Sequence, residues 1–558
     1  MQRRRAGKPL AHISPPIQHG SAGMGSDSEK RSRLNQKYLG VTNRIWIIVF
    51  VFLCIIAFTH YALPSQPPPR RVFISTHLEP KNYLNETDHN PFEFCPVFGP
   101  GDELAEKYGA IPLSQSRLHL GSGARLHRVI HKALLGQPVV MSVLGGSVSA
   151  CHGAGDDPLA PNCYPSRFFQ WWNTVFPHPA SELTNGAMRR TNSGYFGFCS
   201  GHHIPDDTDL VVLEFDADDP ADPSTLDNFE ILVRSVLDRP DQPAVVIMGH
   251  FSPQVHQTHG FAGPDHWHSV VAQFYDVPHV SIKPILYPDY MSNPDSIKKY
   301  YADAVLANTQ GHEVIADVLI SYFQSQICSA WATVGGYSHE TSPALASDPG
   351  ADTHLFGGVG VRKGAAVPEP QKPADDAKKQ LTPVDSHAMS PQLRIPPNRI
   401  STRPKSDRLF REIAPFCASA NDLVNPVPPS LFYGSGWYAH HPPAGSSALL
   451  TTAHYWHSSL PLSKLRIPVR VGAGDIGIYY LKEPSSEIGE GSYIECWVDD
   501  NYSGSKIIEN AADINDATPA LEIIDHYVSR GPHFVECQLL GEEGQSVPSF
   551  KIVGVFST

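Results

Sequence analysis

The sequence predicts a mixed α/β protein: a three-layer α/β/α domain with a parallel sheet, then a separate all-β sandwich, both preceded by one transmembrane helix. Three observations predict this order. Residues 45–63 are apolar and free of charge, short apolar runs alternate with longer amphipathic segments between about 96 and 330, and the hydrophobic period becomes two after about 410.

The amino-terminal 63 residues predict a membrane anchor. Residues 1–44 carry nine Lys and Arg against two acidic residues, and the charge-free segment 45–63 follows directly. At about 1.5 Å per residue, this segment nearly spans a hydrocarbon core of about 30 Å. The lead is too long for a cleaved signal peptide. Because the positive charge precedes the span, 1–44 is expected to be a cytosolic tail of a single-pass type II membrane protein. The remainder would face the Golgi or secretory lumen or the cell exterior.

The cysteines and two sequons agree with that compartment. Eight cysteines follow the anchor, and an even number in an oxidising compartment predicts disulfide bonds whose pairing the sequence leaves open. Cys496 and Cys537 both lie on the apolar side of a predicted strand, so a bridge between them is favoured over two core thiols. Asn85 and Asn501 begin glycosylation sequons.

The central region has the pattern of a parallel sheet. Residues 64–95 begin with PSQPPPRR and are predicted to be a stem. In 96–330, the apolar runs 138–145, 210–215 and 244–249 are each followed by a segment long enough for a crossover helix. Strands that are apolar throughout are typical of a sheet covered by helices on both faces.

The carboxyl-terminal part changes character twice. Residues 331–409 are rich in Pro and lack a hydrophobic period, which predicts a mostly disordered linker. Residues 410–558 then contain alternating segments such as LRIPVRV (465–471) without a long helical pattern. This region is predicted to be an antiparallel β-sandwich that forms an accessory domain.

The stretch VLGGSVSACHG (143–153) places Ser147 in a Gly-Gly-Ser turn just after an apolar run. The carboxyl ends of parallel strands are where such sheets bind ligands, so Ser147 is at the correct edge for a reactive hydroxyl. Three further segments follow in order: TNSGYFG (191–197), EFDADD (214–219) and DAVLANTQGH (303–312).

This layout resembles the SGNH (GDSL-like) hydrolase superfamily, specifically its fungal membrane-anchored branch with a carboxyl-terminal sandwich. The segments GIYYLKEP, ECWVDDNYSG and HFVECQLLGEEG resemble the sandwich of that branch. The resemblance implies an esterase, acetyl hydrolase or acyltransferase that acts on carbohydrate or lipid esters and needs no metal or organic cofactor.

The resemblance also implies roles for single residues. Ser147 matches the nucleophile, and its backbone N–H together with Gly194 would face the oxyanion. Asp303 would orient a histidine base, for which His312 is the nearest candidate in sequence. His250 and His152 are alternative bases.

Two positions depart from the family pattern. Asp218 stands where an Asn normally donates a hydrogen bond to the oxyanion, and an ionised carboxylate cannot donate. Leu306 stands where the histidine base is expected, and leucine cannot accept a proton.

Three hypotheses follow from these departures. The leading one is a carbohydrate esterase or acyltransferase, weakened or inactive, with a relocated base. The second is a catalytically silent glycan-binding protein that stacks sugars on sandwich aromatics: Trp437, Tyr438, Trp456, Tyr479 and Tyr480.

The third hypothesis is a metal site in HQTHGFAGPDHWH (256–268), where His256 and His259 have ligand spacing. It is disfavoured because no Cys or Glu completes a ligand set, so no metal is expected. The net charge of −13 argues against nucleic acid as a partner. The expected partners are therefore a carbohydrate ester and the membrane.

Overall fold

The structure, a computed structural model, describes residues 37–38, 41–62, 72–74, 78–85, 89–334, 393, 395–402, 412, 415–420, 433–442 and 453–558. Most of the predicted cytosolic tail and residues 335–392 of the predicted linker lie outside this range. The chain divides into two compact units, Met1–Pro69 and Arg70–Thr558.

The first unit contains the predicted anchor. Strands β1 (Lys37–Tyr38) and β2 (Val41–Thr42) pair antiparallel, and helix α1 (Asn43–Ala62) follows. Large apolar side chains from Ile45 to Leu53 are exposed on this helix. In the described part of the chain, no helix combines the length and apolar character needed to cross a membrane.

The second unit contains the predicted parallel sheet. Its described strands are, in spatial order, β3 (Val72–Ile74), β6 (Glu182–Asn185), β5 (Val140–Gly145), β7 (Leu210–Glu214), β8 (Ala244–Gly249), β9 (His279–Ser281) and β4 (Arg117–His119). Strands β5 to β9 are parallel, whereas β3 and β4 join the two edges antiparallel. After β5 the chain adds β6 on one side and β7 on the other, so the switch point of the topology lies between β5 and β7.

Helices cover both faces of this sheet because its strands are apolar on both sides. Residues of β7 alternate between two cores: Val212 packs into the first, and Val211 and Leu213 pack into the second. The first face is covered by α2 (Glu103–Tyr108), α3 (Ala110–Gln115), α4 (Ala124–Leu134), α5 (Tyr164–Val175), α10 (Lys283–Ser292) and α11 (Thr309–Val334). The second is covered by α6 (Ser193–Cys199), α7 (Ser224–Leu237) and α9 (Asp265–Tyr275), while α8 (Pro253–His259) buries no residue. Short 3₁₀ helices span Tyr83–Asn85, Ser200–His202 and Pro294–Tyr300.

The described part of the predicted stem, 64–95, is packed against the α/β domain. Strand β3 extends the sheet, and Tyr83 and Phe92 are buried against the ring of Phe176. A disulfide joins Cys95 to Cys328 near the end of α11. An extended stem would expose these aromatic rings to water, and their burial explains why the segment packs against the domain.

The carboxyl-terminal region is all-β, as predicted, and its described strands form two sheets that face each other across a common core. The strands of one sheet are β10 (Phe416–Ser419), β12 (Tyr438–His440), β13 (Tyr455–Ser458), β15 (Ile476–Pro484), β18 (Ala511–Ala512), β19 (Thr518–Asp525) and β21 (Phe550–Ser557). Those of the other are β11 (Tyr433–Ser435), β14 (Lys464–Val471), β16 (Tyr493–Val498), β17 (Lys506–Glu509) and β20 (Gly531–Leu539). Helix α12 (Ser485–Ile488) and a 3₁₀ turn, Tyr502–Gly504, connect strands, and β18 pairs parallel with β15.

The predicted bridge in the sandwich is confirmed. Cys496 on β16 lies directly opposite Cys537 on β20, and the two form a disulfide. Of the aromatic residues proposed to stack on sugars, Tyr438 is 61% exposed, whereas the other four belong to buried cores. The asparagines of the two predicted sequons, Asn85 and Asn501, are exposed.

The sandwich is joined firmly to the α/β domain. A disulfide connects Cys199 at the end of α6 with Cys417 on β10. The ring of Phe556 on β21 stacks on Phe198 of α6, with ring centroids 5.2 Å apart. The second core of the α/β domain therefore continues into the sandwich.

Part of the predicted linker, 331–409, also packs on the α/β domain. Helix α11 continues to Val334, and residues 395–402 lie along α7, where the backbone N–H of Ile400 donates to Glu230. Arg234 of α7, which is buried, donates two hydrogen bonds of 2.6 Å to Glu412. These described residues thus contact α7 just before the sandwich begins.

Candidate active site

Ser147 follows β5 at the switch point of the sheet, and its turn depends on glycine. A Cβ on Gly146 would collide with the carboxylate of Asp218, so only glycine lets the turn approach that side chain so closely. Asp218 itself follows β7, the neighbouring strand. The topology thus brings Ser147 and Asp218 to the same point from two strands.

The hydroxyl of Ser147 is bound to this carboxylate. Ser147 Oγ donates to Asp218 Oδ1 at 2.8 Å, and the Ser147 backbone N–H donates to Asp218 Oδ2 at 2.6 Å. The Arg190 backbone N–H donates to Ser147 Oγ at 2.9 Å. Ser147 is 6% exposed. Asp218 therefore occupies the donors that an oxyanion would use.

The buried position changes the acidity of Asp218. Burial raises its pKa to about 6, although the two hydrogen bonds from Ser147 act in the opposite direction. The neighbouring carboxylate of Asp219 also raises the pKa. At neutral pH the group is therefore ionised, and near pH 6 it takes up a proton that an ordinary aspartate would not hold.

The predicted partners Asp303 and His312 are not joined to each other or to Ser147 by any described hydrogen bond. Asp303 Oδ1 accepts from the backbone N–H groups of Val305 and Leu306, both at 2.7 Å, so it orders its own turn. His312 is fully buried in α11, and its Nδ1 accepts from the Tyr164 backbone N–H at 3.3 Å. Burial lowers the pKa of His312 to about 3. This environment is that of a neutral core imidazole.

The two alternative bases lie in different surroundings. His250 Nε2 donates to the Val305 carbonyl at 2.8 Å, and burial lowers its pKa. His152 is partly exposed and pairs through Nδ1 with Asp156 at 2.9 Å. Its charge also lowers the pKa of Asp218. Among the three histidines predicted as bases, His152 is therefore the one named here as lowering the pKa of Asp218, the carboxylate bound to Ser147.

A disulfide holds the loop that carries His152. Cys151 and Cys163 are bridged, and they flank both His152 and Asp156. The His152 backbone N–H donates to the Ser147 carbonyl at 3.1 Å, so the backbone of His152 lies one turn after Ser147.

Gly194 lies in the buried first turn of α6. The preceding Asn192 caps this helix by accepting from Tyr195 N–H, and it also accepts from the Tyr479 hydroxyl of the sandwich at 3.2 Å. The Ser193 backbone N–H donates to Asp219 at 2.7 Å. The oxyanion role of Gly194 stays a prediction.

His268 belongs to a buried network that sequence reasoning missed. Its Nδ1 bonds Asp216 and its Nε2 bonds Asp219, both at 2.8 Å. Burial alone would lower the pKa of His268, but the bonds to both carboxylates outweigh it and raise the pKa to about 10. The resulting imidazolium joins the two ends of the 216–219 turn. In the sequence, His268 stands out only as part of the histidine-rich segment. Its partner carboxylates lie about 50 residues earlier, so no local pattern connects them to it.

The histidine-rich segment forms no metal centre in the part of the chain that the structure describes. No group of three or more His, Cys, Asp or Glu residues there is arranged to hold a metal ion. His256 and His259 lie on α8, whereas His268 points into the carboxylate network on α9.

Comparisons with known proteins support the fold. No protein-family model and no curated protein matches the sequence. Crystal structures of a two-domain esterase (CEX) active on acetylated mannans, one of them co-crystallised with mannopentaose, match with a TM-score of 0.52 and 18% identity. They cover 80% of this chain and 98% and 97% of their own. The chain therefore shares the two-domain fold of these structures, an α/β domain followed by a β-rich domain, and this part of the predicted fold class is confirmed.

Proposed function

We propose that the protein is an SGNH-type hydrolase or acyltransferase of carbohydrate esters, with Ser147 as nucleophile and low activity at neutral pH. The observation that carries this proposal is the position of Ser147 at the switch point, with its hydroxyl hydrogen-bonded to a buried acidic side chain. Acetylated mannans, the substrates of the structurally similar esterase, are the first substrate class to test. A type II membrane anchor over 45–63 and a secretory or cell-surface location belong to the same proposal.

In the proposed reaction, Ser147 Oγ gives its proton to the base and attacks the carbonyl carbon of the ester; the acyl group is transferred to Oγ, and the sugar oxygen leaves with that proton as a free hydroxyl. Water, or a second hydroxyl in the case of acyl transfer, then releases the acyl group. His152 in its neutral form would act as the base in place of His312: Asp156 orients its ring, a disulfide closes its loop, and the Ser147 hydroxyl, which donates to Asp218 in the resting structure, would turn toward it. Ionised Asp218 opposes both steps, since it places negative charge where the oxyanion develops.

The test is covalent labelling of the full-length chain. A fluorophosphonate probe is expected to label the wild type and Ser292→Ala, a control at an exposed serine, but not Ser147→Ala. Hydrolysis of p-nitrophenyl acetate should follow the same order. Labelling that survives in Ser147→Ala would remove Ser147 as the nucleophile.

A catalytically silent glycan-binding protein is the second candidate. It is favoured by one observation: the Asp218 carboxylate accepts from both the N–H and the hydroxyl of Ser147, which stabilises the resting arrangement. Absence of labelling in the wild type, combined with retained oligosaccharide binding, would support this candidate.

A further inference from the structure

His268 on α9 contacts both ends of the turn that carries Asp218. Its ring is buried, with Nδ1 bound to Asp216 Oδ1 and Nε2 bound to Asp219 Oδ2, each at 2.8 Å. Asp218, whose carboxylate binds Ser147, lies between these two positions in the chain. The residue that binds the Ser147 hydroxyl therefore belongs to a turn that one imidazole ties together at both ends.

The carboxylates of Asp216 and Asp219 depend on His268 for their charge balance. Both are buried, and two buried carboxylates that share a site repel each other unless a cation lies between them. Burial alone would lower the pKa of His268, but its two bonds raise the pKa to about 10, so the ring is an imidazolium with two N–H donors. No other cationic side chain among the described residues hydrogen-bonds to either carboxylate, and Lys283 is paired with Asp265.

The remaining oxygens of the two carboxylates extend this contact to further elements. Asp216 Oδ2 accepts from the His250 backbone N–H at 2.9 Å, just after β8, and Asp219 Oδ1 accepts from the Ser193 backbone N–H at 2.7 Å, at the start of α6. Phe229 of α7 packs on the imidazole with ring centroids 4.0 Å apart, and an aromatic face favours a neighbouring cation. The turn, β8, α6, α7 and α9 therefore meet in one buried network centred on His268.

The backbone of the turn leaves Asp218 little freedom once both ends are fixed. The N–H groups of Asp218 and Asp219 both donate to the Phe215 carbonyl, at 3.0 and 2.8 Å. Without their common partner, the Asp216 and Asp219 carboxylates would repel each other inside the protein. That repulsion would open the turn and withdraw the Asp218 carboxylate from Ser147.

We infer that His268 is a positioning residue: it holds the 216–219 turn in the conformation in which Asp218 binds the N–H and the hydroxyl of Ser147. No described hydrogen bond joins His268 to Ser147, so its effect on Ser147 passes through Asp218. The inference rests on the proposed function in one respect, namely that Ser147 is the reacting group.

A double-mutant cycle on the full-length chain tests this role without requiring catalysis. Ser147→Ala should lower the urea midpoint of unfolding, because the buried Asp218 carboxylate loses its hydroxyl donor. In the His268→Gln background, the same substitution should shift the midpoint much less, because Asp218 is no longer held against residue 147. Glutamine keeps a hydrogen-bond donor at position 268 but removes the charge.

His279→Gln is the matched control at another buried histidine. His279 lies on β9, and its Nδ1 bonds the Ser269 hydroxyl instead of the 216–219 turn. Even where this substitution lowers stability, the shift caused by Ser147→Ala should remain as large as in the wild type. The control thus separates the positioning role from a general loss of packing.

A second variant covers the case in which His268→Gln does not fold. Asp219→Asn then replaces it, because one amide oxygen cannot take the place of the two carboxylate oxygens that accept from His268 and Ser193. Equal shifts from Ser147→Ala in the wild type and in the variant of the network would overturn the inference.

The outcomes separate this inference from the proposed function. Failure of fluorophosphonate labelling, together with a Ser147→Ala shift that depends on His268, would refute the hydrolase and leave the positioning role standing. Labelling of Ser147 with equal shifts in both backgrounds would do the reverse. In an active wild type, the change in hydrolysis rate caused by Asp218→Asn should also shrink in His268→Gln and persist in His279→Gln.

Discussion

The Ser147 N–H and hydroxyl both donate to one carboxylate, at 2.6 and 2.8 Å. An asparagine at position 218 would accept through one atom only and offer an N–H to the oxyanion, whereas ionised Asp218 offers none. The location of Ser147 and the departure at Asp218 were readable from the sequence because both belong to short contiguous motifs. The His268 network was not readable, because it joins residues from different elements.

We expect Asp218→Asn to raise the rate of p-nitrophenyl acetate hydrolysis at neutral pH by about 100-fold, since one oxyanion donor is worth about that much. Because burial raises the pKa of Asp218 to about 6, its repulsion of the oxyanion is present above that pH and is lost as the group protonates below it. The ratio of mutant to wild-type rates should therefore be largest above pH 6 and shrink below it.

The measurement is the ratio of the two rates from about pH 5 to about pH 8, in which the titration of a shared base cancels. Asp207→Asn, at an exposed aspartate, is the control and should give a ratio near one throughout. A lower rate in Asp218→Asn would instead identify Asp218 as the base that accepts the Ser147 proton.

At the scale of elements, the predictable strands are those with a long apolar run. Strands β5, β7 and β8 carry such runs, whereas β6 (ELTN) and β9 (HVS) are short and partly polar. These short strands are positioned by pairing with neighbouring strands of the sheet, and the few residues of each strand do not by themselves indicate that pairing. The segment 395–402 is likewise predicted to be linker, because its two apolar contacts with the second core, Ile395 and Ile400, and its hydrogen bonds to α7 form no hydrophobic period.

Removal of the Glu412 carboxylate should measure what the contact between α7 and the chain just before β10 contributes. We expect Glu412→Gln to lower the free energy of unfolding by about 1–2 kcal/mol, because the buried guanidinium of Arg234 loses its charged partner and one of the two acceptor oxygens, and keeps only the bonds to the Pro396 carbonyl and the Tyr275 hydroxyl. Urea denaturation followed by tryptophan fluorescence is the assay.

Lys298→Ala provides the matched comparison, since it breaks the exposed ion pair with Asp295. Such pairs contribute about 0–1 kcal/mol, so the control should unfold close to the wild type. Equal effects of the two substitutions would mean that the contact of Arg234 with Glu412 does not stabilise the fold.

For the whole molecule, the covalent connections decide how the two domains stay together. Eight cysteines allow about 105 pairings. The Cys496–Cys537 bridge was predictable because both residues lie on the apolar side of their strands, whereas no sequence pattern indicates Cys199–Cys417, which joins the two domains. Phe198 and Phe556 add apolar contact at the same junction. The Cys199–Cys417 bridge and the Phe198–Phe556 contact each join residues more than 200 positions apart in the chain.

We therefore expect the domains to remain linked after the chain between them is cut. A protease recognition sequence inserted between 335 and 392 would, after cleavage, give one band on a non-reducing denaturing gel and two bands after reduction. Two bands without reductant would contradict the Cys199–Cys417 bridge. The double substitution Cys199→Ser with Cys417→Ser is the control that should separate without reductant.

The hydroxyl of Tyr479 reaches from the sandwich to Asn192, the cap of the helix on which Gly194 lies. The sandwich consequently takes part in fixing the start of that helix and is no detachable appendage. A fragment trimmed to 96–330 would lose that contact and bare the apolar rings of Tyr195 and Phe198 to water. Any attempt to produce a shorter, stably folded form of this chain therefore has to retain both halves.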